Sequence, residues 1–148
     1  MSFTTLLEAA GRRLGTTLAL DHGGLARLVV DGRHTIDFEL EDGGETLFVS
    51  GVLGPLPPDG REALYADLLA ASLFGTRTGG FQAALDPVRR ELLLWEAHRS
   101  VPEVEVFVAR LEALAAQLED WKQRLGSAAT QRAQPLAASM PMGAMLRA

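Results

Sequence analysis

Three histidines, His22, His34 and His98, are the side chains best suited to acid–base or metal chemistry in this cysteine-free chain. The richest local pattern is His34-Thr35-Ile36-Asp37-Phe38-Glu39. A hydrolytic metal site needs imidazole and carboxylates converging on one point. Strand alternation puts Asp37 and Glu39 on one face and His34 on the other, so the three diverge. The expectation is no metal and no cofactor. Ser50 and Ser72 lie in apolar runs, without the Gly-x-Ser-x-Gly setting that exposes a nucleophile at a strand-to-helix turn. Thr78-Gly79-Gly80 looks like a fragment of a phosphate loop, but the Gly-Lys-Ser/Thr ending is missing and Lys122 is the only lysine. No catalytic residue is assigned. A small hydrolase using His34 or His98 with nearby acids is the least favoured reading.

The elements that would position these residues follow from periodicity. Phe3, Leu6, Leu7, Ala10 and Leu14 recur at helical spacing, with Ser2 as cap and Gly15 as stop. From Thr17 to Leu56 the period becomes two. Leu25 to Val30, Thr35 to Glu41 and Thr46 to Leu53 read as strands, separated by the turns Asp31-Gly32 and Asp42-Gly43-Gly44. Leu28, Val30, Ile36, Phe38, Leu40, Leu47 and Val49 share one face; Leu25, Val29, Phe48, Leu93 and Trp95 share the other. Gly54-Pro55-Leu56-Pro57-Pro58 blocks further pairing. Asp59 then caps a helix carrying Leu64, Leu68, Leu69 and Leu73. Phe81 to Leu85 and Glu91 to His98 form two more strands around Asp86-Pro87. In the latter, Leu92-Leu93-Leu94-Trp95 calls for cover on both faces. Ser100-Val101-Pro102-Glu103 reads as a capping box opening a last helix that stops at Gly126. The sum is an α+β domain in the order α-βββ-α-ββ-α, with helices packed on a twisted, mostly antiparallel sheet.

A length of 148 residues suits one domain burying roughly 70% of its unfolded surface. All 19 acids but only 12 of the 14 bases fall in residues 1–126, a net charge of −7 for the folded part. Such a surface repels phosphate backbones, so nucleic acid is not an expected partner. No apolar run approaches the ~20 residues that cross a bilayer, and the amino terminus lacks a signal-peptide pattern, so membrane insertion is not expected either. The absence of cysteine agrees with a reducing, cytoplasmic setting. Residues 127–148, rich in Ala, Gln, Met and Pro, read as a mobile tail. A sharper alternative docks Met140, Met142, Met145 and Leu146 in a groove.

What remains is surface. The helix from Leu64 to Leu73 and the strand after it carry more apolar side chains than one small sheet covers. Either they close a monomeric core in another register, or they form a dimer seam beside a groove for an extended peptide.

Several of these segments resemble the CesT/SycE-type class I type III secretion chaperones over about residues 1–125. They are Leu18-Ala19-Leu20-Asp21, the strand from Leu25 to Asp31, Gly51-Val52-Leu53-Gly54-Pro55-Leu56-Pro57 and, most specific, Leu68-Leu69-Ala70-Ala71-Ser72-Leu73-Phe74-Gly75 followed by Thr78-Gly79-Gly80. The resemblance implies a cytoplasmic homodimer without catalytic activity. It would hold the amino-terminal region of a secreted effector in extended form, with the secretion ATPase as a further partner. It also implies a dimer seam at Leu64, Leu68, Leu69, Leu73, Phe74, Phe81, Ala83 and Leu85. Effector contacts would fall at Leu7, Leu14, Leu28, Val30, Phe38 and Phe48. A regulatory or adaptor module on the same fold is the alternative.

Overall fold

A computed structural model describes the backbone of residues 1–133 and the side chains of residues 1–127. The first helix, α1 (Phe3–Arg13), starts where the Ser2 hydroxyl accepts the Thr5 N–H at 3.1 Å. It ends at Leu14, beyond which Gly15 adopts φ +74°.

Five strands follow the expected order: β1 (Leu25–Val30), β2 (His34–Leu40), β3 (Leu47–Pro55), β4 (Gln82–Asp86) and β5 (Glu91–His98). They form one antiparallel sheet in the spatial order β1-β2-β3-β5-β4, leaving β1 and β4 as edges. At the first hairpin Asp31 and Gly32 both take positive φ, which closes the turn tightly. Register places Leu28 opposite Ile36 and Phe38 opposite Val49, so these side chains share a face. Onto that face pack α1 and the long helix α3 (Val104–Ala133), burying Leu6, Leu7, Phe107, Leu114, Leu118 and Trp121. The close approach of α3 to β3 depends on Gly51, where a Cβ would lie 2.6 Å from Leu118 Cδ1.

The remaining helix, α2 (Arg61–Ser72), runs beside β4 and passes into a 3₁₀ turn, Leu73–Gly75. The meander, the two-faced sheet and the element order are as the sequence implied.

Four local expectations are corrected. Gly60, at φ +67°, occupies the N-cap of α2 in place of Asp59. The last helix begins at Val104, with the Glu103 carbonyl accepting the Phe107 N–H at 3.0 Å. A cap at Ser100 would need helical geometry at Val101, which the following Pro102 disfavours. Pairing of β3 continues past Leu53 through a bulge to Pro55 opposite Glu91, because Gly54 takes φ +146° and lets the strand re-register. Finally, α3 runs through Gly126 to Ala133. One helical glycine costs only about 1 kcal/mol against alanine, and good helix formers surround it. The tail expectation for Met140 to Leu146 lies outside the described residues.

Candidate functional site

Two apolar surfaces stand out, and neither is catalytic in composition. The first lies where α2 meets β4. Leu69 is 67% exposed, Leu73 60%, Phe74 93% and Leu85 44%. Leu64 and Ala83 are half-buried against the core. Between the helix and the strand runs a groove of about 180 Å³ whose walls include Tyr65, Leu69, Ala83, Leu85 and Leu92. Tyr65 has no expected role from sequence, and Leu92 is expected only to need cover as part of the run Leu92 to Trp95. The pairing of Leu85 with Leu92 is what brings the latter to the groove.

Two of the expected seam residues differ from the rest in exposure. Leu68 and Phe81 are buried within the chain. Phe81 sits beneath the Arg110 guanidinium, 4.0 Å from its ring centroid. That arginine also donates to the Gly79 carbonyl at 3.0 Å and to Glu96. The Thr78 hydroxyl donates to the Phe81 carbonyl, and Trp121 Nε1 donates to the Arg77 carbonyl at 3.3 Å. The Ser72 hydroxyl accepts the Ala83 N–H at 3.1 Å. A Cβ on Gly75 would lie 2.4 Å from Gly80 Cα, so the loop closes on itself backbone to backbone. The loop is thus fastened at five points while Phe74, at φ +53°, is held outward. Phe74 is an exposed aromatic in a left-handed backbone conformation, which a non-glycine residue adopts only where its surroundings impose it.

The second surface is the sheet face opposite α1 and α3. Leu25, Val29 and Phe48 are exposed there, and Leu93 and Trp95 are half-buried. Phe48 and Trp95 pack with ring centroids 6.2 Å apart. Beside them Arg27 makes a two-pronged pair with Asp37, at 2.6 and 3.0 Å, and Arg89 reaches the same carboxylate at 3.5 Å. Hydrogen bonding to Asp37 holds the Arg27 guanidinium above its ordinary range. The open channel enclosed on this face is about 750 Å³, with both apolar walls and these ion pairs along it.

Of the expected effector contacts, Phe48 lies on this face. Leu14 and Val30 are half-buried at the margin of the core. Leu7, Leu28 and Phe38 are instead buried in the core, and Phe38 packs its ring 6.3 Å from that of Phe107. The alternation that puts Phe38 on the apolar face is the same alternation that hides it beneath α3.

The histidines diverge from Asp37 and Glu39. His34 is buried, bonded through Nε2 to Glu119 at 2.8 Å and through Nδ1 to Lys122 Nζ at 3.1 Å. His98 Nε2 pairs with Glu96 at 2.9 Å, and its ring meets Phe107 edge-on. Among the described residues, no group of three or more histidine, aspartate or glutamate side chains is arranged to hold a metal ion. No described helix is long and apolar enough to cross a membrane.

A family model, the Tir chaperone protein (CesT) family, matches residues 5–122. The chain belongs to that family. The match takes in every element from α1 to the middle of α3, so both apolar surfaces fall within the Tir chaperone region. No curated protein matches the chain.

Solved structures share the fold at low identity. The ExsC–ExsE complex contains a chain 22% identical, with a TM-score of 0.68, covering 83% of this chain and 96% of that one. The HopA1–SchA chaperone–effector complex contains one 20% identical, with a TM-score of 0.67, covering 82% and 93%. The ExoU–SpcU complex from the type III secretion system of Pseudomonas aeruginosa contains one 22% identical, with a TM-score of 0.58, covering 83% and 93%. The α+β architecture with its five-stranded antiparallel sheet is therefore that of the family.

Proposed function

We propose that this chain is a type III secretion chaperone that works as a homodimer in the bacterial cytoplasm. It holds the amino-terminal region of a secreted effector in extended form until export. The observation that carries the reading is the pairing of family membership with two separate uncovered apolar surfaces. One such surface suits self-association, and the other suits a passenger. The solved HopA1–SchA neighbour, described as a chaperone–effector complex, supports the second role.

The α2–β4 surface is assigned to the dimer, through Leu64, Leu69, Leu73, Phe74, Ala83 and Leu85. Its side chains project from a helix and a fastened loop, a rigid geometry suited to a self-complementary patch. The opposite sheet face, with Leu25, Val29, Phe48 and Trp95, is assigned to the effector. The free edge of β1 lies beside it and offers main-chain donors and acceptors to an added strand. Ordering a disordered segment typically costs about 2–5 kcal/mol of the gross interaction energy. At ~25 cal/mol per Å² of apolar area, a few leucine- and phenylalanine-lined patches exceed that cost. The acidic surface attracts basic effector segments and keeps the holder soluble.

Co-purification from the native host, read together with light scattering, tests the assignment. The expected result is a dimer at micromolar concentration carrying the amino-terminal region of a secreted protein. A stable wild-type monomer that captures no such segment would overturn it.

A further inference from the structure

The lysine at position 122 stands alone of its kind among thirteen arginines. It lies on α3, half-buried, and its surroundings are unusual for a surface cation. Nζ donates to the Arg33 carbonyl at 2.9 Å and to His34 Nδ1 at 3.1 Å. The Glu119 carboxylate can only accept, so the ring proton sits on Nε2, 2.8 Å from Oε2, and Nδ1 is left to accept from Nζ. Glu119 is itself held by Arg33 at 2.9 Å and by Gln123 at 3.1 Å. The result is an amine, an imidazole and a carboxylate in series, with the imidazole buried and fixed in one tautomer.

This arrangement is that of an activated nucleophile: a weak nucleophile beside a base, and the base oriented by a third group. A neutral amine has two hydrogens and one lone pair. The Arg33 carbonyl and His34 Nδ1 are acceptors for those two hydrogens, which leaves the lone pair directed away from both. Burial pushes the Lys122 ammonium below the ordinary lysine range. The nearby Glu119 charge opposes that, and the Arg33 charge adds to it.

We propose that Lys122 is a site of Nε-acylation by small acyl thioesters, its amine prepared by His34 and Glu119. In the step, the nitrogen lone pair forms a bond to the thioester carbonyl carbon. The carbon–sulfur bond breaks and the thiolate leaves with its electron pair. The surplus proton on nitrogen passes to His34 Nδ1, and the resulting imidazolium is held against the Glu119 carboxylate before releasing its proton to solvent. The product amide keeps one N–H but carries no charge. Acylation thereby removes one of the two cations that tie the turn between β1 and β2 to α3, leaving the pair of Arg33 with Glu119 as the other. This inference does not depend on the cargo or on the dimer.

The test uses the full chain and S-acetyl-N-acetylcysteamine at pH 7.5, with the modified position located by peptide mass mapping. Lys122 in the folded protein is expected to react about tenfold or more faster than in the same chain unfolded in guanidinium. A folded rate equal to or below the unfolded rate overturns the proposal, because simple burial protects an amine. The variants His34→Gln and Glu119→Gln, each checked for a native circular-dichroism spectrum, should bring the folded rate down toward the unfolded one. Wild-type rates in both would overturn the role of the pair. The wild-type comparison stands even if either variant fails to fold.

Discussion

Glu96 illustrates how single side chains hold this fold at the place where its surfaces diverge. It projects from β5 toward α3 and accepts from His98 at 2.9 Å and from Arg110 through both Nε and an Nη nitrogen. Burial alone would raise its carboxyl; the hydrogen bonds from His98 and Arg110, together with their charges, outweigh burial and hold it below the usual carboxylate range. A carboxylate lowered in the folded state stabilises fully above its unfolded value, about 4.3 for glutamate, and that contribution is lost as pH falls through the lower folded value. Guanidinium unfolding followed from pH 7 to pH 3 should therefore show stability falling in that acid window, and Glu96→Gln should flatten the fall. The variant should also lose about 1–3 kcal/mol at pH 7, since Arg110 and His98 are left facing a poorer acceptor. An acid limb unchanged by the substitution would show that Glu96 does not carry it. The loss would be felt at a distance, because Arg110 also fastens Gly79 and covers Phe81. These two contacts help hold the loop that presents Phe74.

At the level of elements, the meander and its two faces could be read directly. Alternation and turn glycines act locally: Leu28, Ile36 and Val49 point inward and Leu25, Val29 and Phe48 outward because the period is two. The second helix was less legible. Apolar residues encircle α2, so its sequence does not say that Leu68 and Ala71 turn inward while Leu69 and Leu73 turn outward. That choice is made by β4 alongside it, a tertiary contact. The same reason explains Phe81, which Arg110 covers from a helix almost thirty residues later. Leu7 and Phe38 are expected at the surface only through the family resemblance; the alternation itself puts Phe38 on the face that α3 covers, where both side chains are buried. The loop after α2 offers a prediction with opposite signs for two measurements. Phe74 pays for its left-handed backbone with strain of roughly 1 kcal/mol that glycine would not carry. Phe74→Gly should thus leave the isolated subunit as stable as the wild type or up to about 1 kcal/mol more so, measured by urea unfolding at high dilution. Sedimentation at micromolar concentration should show weaker self-association. A variant that dimerises as well as the wild type would remove Phe74 from the seam.

For the whole molecule, the decisive property is that the two apolar surfaces lie on different sides of one sheet and can be altered one at a time. Leu68 and Leu69 are neighbours in sequence, but the first is buried and the second is 67% exposed. Leu68→Asp places a charge in the core and should prevent folding, whereas Leu69→Asp should leave the circular-dichroism spectrum intact and convert dimer to monomer in light scattering. If Leu69→Asp remains a dimer, the seam lies elsewhere. The opposite face answers to a different substitution. Phe48 stands beside Trp95 on β5 and beside the channel where Arg27 and Arg89 converge on Asp37. Aromatic residues packed in this way dominate binding, and loss of one typically costs about 2 kcal/mol, or roughly 30-fold in affinity. Phe48→Glu should therefore weaken capture of an effector's amino-terminal peptide by at least that factor in a titration, while light scattering still reports a dimer. Equal loss of both properties in both variants would mean that passenger and partner share a single surface. Loss of one property in each variant would establish that the family fold keeps the twin and the cargo on separate faces, so that a loaded dimer need not open to release what it carries.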